Sequence, residues 1–191
     1  MNICMYGASS TTLDNSYYDA AEALGKNMAA RKIGLVFGGG MQGVMGACVK
    51  GVSESGGYSL GIAPAFFDKP GILYKECSEF IFTENMRQRK QLMEEHSDAF
   101  IMAPGGIGTY EEFFEILTLK QLGQLNKPIA VFNVNGCYNL LEQLLKEMCD
   151  NGFMKKSCLN IFGIFDNIDE MLDYIENEKN NPPNLSHLKN I

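Results

Sequence analysis

Apolar residues along this chain keep two rhythms that alternate from one end to the other. Short, nearly unbroken apolar runs at 2–6, 33–37, 58–63, 79–83, 99–103, 128–134 and 159–165 have the length and side-chain type of buried strands. Between them lie stretches with an apolar residue every three or four positions: 14–31 through Ala21, Leu24 and Met28; 84–95; the four turns after Thr109 through Tyr110, Phe113, Phe114 and Leu117; 138–149 through Leu141, Leu144, Leu145 and Met148; and 166–178. Strand and helix in strict alternation predict an α/β chain, a doubly wound and mostly parallel sheet with helices on both faces and right-handed crossovers. No repeat or linker interrupts residues 1–178, which are read as one domain. Residues 179–191, rich in Asn and carrying Pro182-Pro183, read as a tail that packs loosely or crosses to another subunit.

In such a sheet ligands bind at the carboxyl ends of the strands, and three of those ends carry small-residue loops. The first strand runs into Gly7-Ala8-Ser9-Ser10, the second into 38–46 (GGGMQGVMG), and the run 99–103 into Pro104-Gly105-Gly106-Ile107-Gly108-Thr109. Glycines let a backbone approach a ligand closely, and a helix that follows offers free N–H groups to an anion, most often a phosphate. Glu111 and Glu112 are expected in the first turn of the third helix, where they either complement its dipole or face the sugar or base of a nucleotide. Gly38, Gly40 and Gly43 satisfy GxGxxG, but no acidic residue follows about 20 positions on to hold a ribose diol, which argues against NAD. No GK[S/T] ending occurs, so a P-loop is absent. On the helix 84–95, Met86, Arg89, Lys90 and Met93 share one stripe, with Arg87 off it; cations on such a stripe point inward or toward a partner. The competing reading is a solvated face with a weak Lys90–Glu94 pair.

A net charge of −7 and a pI near 4.9 exclude a general nucleic-acid binder, which needs massed Lys and Arg, and leave a nucleotide monomer possible. The six cysteines show neither a CxxC pair nor zinc spacing and read as buried thiols of a reducing compartment. No basic-then-apolar leader opens the sequence and no run approaches about 18 apolar residues, so the expectation is a soluble cytoplasmic protein with no membrane partner. The helix after Thr109 is apolar around most of its girth, which predicts a subunit contact and at least a homodimer.

Residues 104–112, PGGIGTYEE, resemble the PGGxGTxxE signature of the LOG family, the cytokinin riboside 5′-monophosphate phosphoribohydrolases, whose members are often mislabelled lysine decarboxylases. Residues 86–93, MRQRKQLM, are similar to the family's MxxRKxxM helix, and the two earlier glycine loops and Gln121-Leu122-Gly123 agree in order and spacing over residues 2–165. Arg87 stands where His is usual, Tyr110 where plant members carry Leu, and 66–75 departs from the plant-type pattern. The resemblance implies a Rossmann-like nucleotide-binding fold, no cofactor or metal, and hydrolysis of a purine nucleoside monophosphate to free base and ribose 5-phosphate. It implies Arg89 and Glu112 as the catalytic pair. It implies substrate contacts from Glu79, Lys90, Gly105, Gly106, Gly108, Thr109, Glu111 and Thr118, with Ser9, Gly39 and Gly40 from the earlier loops. Two other readings stay open: a pyridoxal-phosphate decarboxylase, which needs a Schiff-base lysine, and a nucleotide or cofactor carrier without turnover.

Overall fold

The structure is a computed structural model that describes residues 1–185 and 188. Seven parallel strands, β1 (Asn2–Tyr6), β2 (Gly34–Phe37), β3 (Ser59–Pro64), β4 (Glu79–Thr83), β5 (Ala99–Met102), β6 (Ile129–Phe132) and β7 (Gly163–Phe165), form one sheet in the order β4-β3-β2-β1-β5-β6-β7. Six α-helices follow strands or cross between them: α1 (Asn15–Ala30), α2 (Gly43–Glu54), α3 (Met86–Glu95), α4 (Ile107–Gln121), α5 (Asn139–Asp150) and α6 (Ile168–Asn180). The period of two along β1 decides the layers. Ile3 and Met5 face α1, α2 and α6 through Leu24, Met28, Val49 and Leu172, whereas Cys4 and Tyr6 belong to the opposite core with Met93, Phe113, Ile116 and Leu145. The expected doubly wound α/β fold is what forms.

Three differences from the sequence reading have local causes. Residues 43–46, expected as the end of the glycine loop 38–46, open helix α2, whose Gly51 sits where it presses on α1; a Cβ there would lie 2.2 Å from the Glu22 carbonyl oxygen. Helix α4 starts at Ile107, with Gly106 as its N-cap, so Glu111 and Glu112 fall in the second turn, beyond the reach of a dipole explanation that fades after the first. Of 159–165 only Gly163–Phe165 pairs as strand, the preceding residues forming a single 3₁₀ turn, Lys156–Asn160.

Much of the apolar girth of α4 is taken up within the chain, Phe113, Ile116 and Leu117 being buried in the core and Tyr110, Phe114 and Leu119 packed against it, while Ile107 and Leu122 at its two ends are exposed. In the expected tail, α6 continues to Asn180 and Leu185 and Leu188 are buried in the same core; residues 186, 187 and 189–191 lie outside the described residues. Among the described residues no helix is long and apolar enough to cross a membrane.

At the amino end of the sheet the chain is fastened by ion pairs. Lys179 Nζ donates to Asp98 Oδ1 at 2.9 Å, and the fully buried Lys120 of α4 pairs with Glu178 of α6. A buried charge whose partner is removed is left unpaired in a low dielectric, at a cost of about 3–5 kcal/mol. Lys120→Met should therefore lower the unfolding free energy by about 3 kcal/mol in urea denaturation, whereas Lys120→Met with Glu178→Leu should return to within about 1 kcal/mol of wild type.

Candidate functional site

The strand order places a topological switch point between β1 and β5, where the chain departs to opposite sides and a crevice opens at the carboxyl ends. The loops after these strands are stitched together: Ala103 N donates to Tyr6 O at 2.8 Å and Ala8 N to Pro104 O at 3.0 Å. The loop before α2 joins them through Met45 N, which donates to Ala8 O at 3.3 Å. That approach needs Gly43, whose φ is +68° and whose Cβ would lie 2.4 Å from the Ala8 carbonyl oxygen. The three glycine loops thus meet as the sequence predicts. Side chains cap the starts of α1 (Asp14) and α3 (Asn85), while Gln42 and Gly106 leave the starts of α2 and α4 without a side-chain cap. At α2 the Ala8 carbonyl takes Met45 N, which leaves the first N–H groups of α4 as the ones free to meet an anion.

Between these loops lies a cleft of about 750 Å³. Ser9, Ser10, Gly106, Gly108 and Thr109 line one part of it, Arg89 and Glu112 its depth, and Met45, Phe67, Ile72 and Met86 an apolar wall. Arg89 Nη1 donates to Glu112 Oε1 at 2.6 Å, with both side chains about nine-tenths buried. Gly38 makes this possible, since a Cβ there would lie 2.0 Å from Arg89 Nη2. The buried Nε–H of Arg89 has no acceptor among the described residues. Burial pushes the Glu112 carboxyl above the ordinary glutamate range, against the opposing charge and hydrogen bond of Arg89.

The implied site residues divide. Arg89, Glu112, Ser9, Gly106, Gly108 and Thr109 line the cleft. Gly105 lies just beneath, against the Thr109 side chain. Gly39 and Gly40 serve a neighbouring segment instead: Tyr74 N donates to Gly39 O at 2.8 Å, Gly40 bridges Leu73, and Met41 N donates to Ile72 O at 2.9 Å. Residues 71–74 thus hang from the second glycine loop as a strap. Lys90 and Glu111 pair with each other outside the cleft, so the Lys90–Glu94 pairing does not form. Glu79 is not brought to the site: it opens β4 and stands, exposed, at the amino end of a strand whose carboxyl end faces the cleft. Thr118 is also apart, exposed near the far end of α4, where its Oγ1 donates to Phe114 O at 2.7 Å.

Sequence reasoning missed Gln42, Phe67, Lys69 and Ile72 as lining residues. The available signal was the company of aromatics and a lysine in the proline- and glycine-bearing loop 64–75. A second hollow of about 760 Å³ lies at the ends of β6 and β7, but its asparagines are already engaged: Asn133 Nδ2 donates to Asn139 Oδ1, Asn135 Nδ2 to Ser16 Oγ, and Asn167 caps α6. Among the described residues no cluster of three or more His, Cys, Asp or Glu side chains is placed to hold a metal.

A protein-family model described as possible lysine decarboxylase matches residues 45–175. Cytokinin riboside 5′-monophosphate phosphoribohydrolase LOG5 of Arabidopsis thaliana is 38% identical over 174 residues, 91% of this chain and 76% of that protein. LOG2 of the same plant, of the same named activity, is 36% identical over 91% of this chain and 82% of its own. Among solved structures, the molybdenum cofactor carrier protein of Chlamydomonas reinhardtii superposes with a TM-score of 0.70 at 21% identity, covering 92% of this chain and 96% of that one. The molybdenum cofactor binding protein of Rippkaea orientalis gives 0.68 at 20%, covering 92% and 95%. At such identities these two show a shared fold.

The dependence of the ion pair on Gly38 is testable without any ligand. Gly38→Ala meets only the movable end of Arg89, so the protein should still fold, with a thermal midpoint lowered because the buried pair is broken. Arg89 should swing off Glu112, and the Glu112 carboxyl, followed by ¹³C NMR, should titrate at higher pH than in wild type because it loses the charge that holds it down.

Proposed function

Because this chain belongs to the LOG family, we propose that it hydrolyses the N-glycosidic bond of a purine nucleoside 5′-monophosphate, releasing the free base and ribose 5-phosphate. The observation that carries this reading is the buried Arg89–Glu112 pair at the depth of a cleft whose rim includes the uncapped start of α4. The phosphate is assigned to Gly106, Gly108 and Thr109 at the start of α4, with Ser9 opposite. The ribose then lies over Glu112. As the bond from C1′ to the base nitrogen lengthens, positive charge grows on the sugar, and the Glu112 carboxylate stabilises it. Water supplies the hydroxyl that joins C1′ and gives its other proton to Glu112, the base departs with the bonding electron pair and takes a proton from solvent, and Glu112 returns its proton to solvent. Arg89 holds Glu112 in place through Nη1 and offers Nε–H to an oxygen of the substrate. That contact relieves a buried donor whose unpaired state costs about 1–3 kcal/mol.

The base is assigned to the wall formed by Met45, Phe67, Ile72 and Met86. Apolar side chains with an aromatic among them suit a purine face and, beyond it, an apolar substituent on its exocyclic amine, as in the cytokinin nucleotides named for the plant relatives. The family model's description names instead a possible lysine decarboxylase, for which the pyridoxal-phosphate reading needs a Schiff-base lysine. The one lysine lining the cleft among the described residues, Lys69, lies exposed on the 64–75 loop, away from Arg89 and Glu112 in the depth. The carrier alternative rests on the shared fold and offers no use for a buried Arg–Glu pair.

Base release from AMP and from isopentenyladenosine monophosphate, followed by chromatography, tests the reading. Wild type should release base, Glu112→Gln should lose about 10³-fold and Arg89→Ala about 10²-fold in kcat/KM. Nucleotide binding without release would establish the carrier. The acid limb of kcat/KM should lie above the ordinary glutamate value of about 4.3, activity falling as pH drops through it, because the ionised carboxylate is the working form and burial makes it harder to keep. Phe67→Ala should reduce kcat/KM about tenfold for the isopentenyl nucleotide and less for AMP; equal losses would remove the wall from substrate discrimination.

A further inference from the structure

Lys90 follows Arg89 on α3, and Glu111 precedes Glu112 on α4, so the two helices are joined by two adjacent rungs. The inner rung is Arg89–Glu112. In the outer one Lys90 Nζ donates to Glu111 Oε1 at 2.5 Å and to Glu115 Oε2 at 2.7 Å, two carboxylates one helical turn apart that straddle it. Arg89 lines the cleft; Lys90 lines a separate hollow of about 310 Å³ with Tyr6, Arg87 and Ile116. This end of α3 is tied to β4 through buried Thr83, whose Oγ1 donates to Asn85 O at 3.2 Å, and to α4 by the two rungs. Residues 84–88 are exposed, and the firm anchors, buried Met93 and the Lys127 Nζ bond to Glu94 O, come at its other end.

We infer that Lys90 is a positioning residue: it clips the start of α3 to α4 so that Arg89 meets Glu112, and it makes no contact with substrate. The inference rests on the proposed hydrolysis for its kinetic consequence, and it departs from the substrate contact that the family resemblance implies for Lys90 and Glu111. Exposed ion pairs add little to stability, so the effect belongs to geometry. Near the reacting atoms a displacement of about 1 Å is enough to cost a large factor in rate.

Lys90→Gln should lower kcat about tenfold with KM within about twofold of wild type, and Lys90→Arg should keep most of the rate. The charge-reversed combination of Lys90→Glu, Glu111→Lys and Glu115→Lys rebuilds the rung with opposite polarity and should recover kcat to within about threefold. A readout independent of turnover is ¹⁵N NMR of the Arg89 guanidinium, whose Nη protons should exchange slowly in wild type, quickly in Lys90→Gln and slowly again in the reversed combination. A rise in KM with kcat kept, or a reversed combination as slow as Lys90→Gln, would overturn the inference. An inactive wild type would defeat the proposed hydrolysis, and the guanidinium signals would then decide the clip by themselves.

Discussion

Two opposite charges taken out of water together set the terms for this molecule. Arg89 and Glu112 come from helices that pack on the same face of the sheet, and each is buried deeply enough that alone it would be strongly unfavourable. Their pairing therefore constrains everything around it. β2 must be followed by a residue without a side chain, α3 must be pinned along its exposed start, and α4 must turn Glu112 inward from its second turn. The pair is also incomplete, since one buried N–H of Arg89 finds no acceptor in the described chain, and Glu112 keeps a carboxyl raised by burial against the pull of the guanidinium. A purely structural ion pair gains from full satisfaction of its donors; under the proposed hydrolysis the spare donor is the one offered to substrate.

The scaffold makes such a site inexpensive to place. Parallel strands bring every strand-to-helix loop to one edge, and the switch point between β1 and β5 parts two of them. Backbone hydrogen bonds between Ala8, Pro104 and Met45 fix the glycine loops to one another, so the anion site is formed by main chain and needs no side-chain ordering. The apolar wall is fixed in the same way. Residues 71–74 are clipped to Gly39 and Met41 by main-chain bonds, which turns a long exposed loop into one side of the cleft. Under the proposed reading, phosphate binding by backbone and base selection by side chains are separated: the wall can vary while the glycine loops stay.

Much of this was legible in the residues. The alternation of apolar rhythms gave the strands, five of the six helices and the α/β class, because burial of a strand on both faces and of one stripe of a helix leaves a periodic trace. The motif around Pro104 to Glu112 and the stripe holding Arg89 pointed to the two groups that meet in the cleft. Helix α2 left no such trace, since glycines chosen for contact with α1 and with Ala8 look in sequence like a loop. Glu79, Thr118 and Lys90 show the converse limit. Each matches a motif position, yet the strand direction, the length of α4 and the pairing with Glu111 and Glu115 put them elsewhere.

The sequence by itself determined the fold class and the family, for these depend on composition and spacing along the chain. Tertiary structure alone decided which face of α3 and α4 each charge takes, that 71–74 hangs on the second glycine loop, and that Phe67 and Ile72 face the ligand space. Those outcomes are set by contacts between residues far apart in sequence, where a few ångströms of backbone approach select one neighbour over another, and no local periodicity records them.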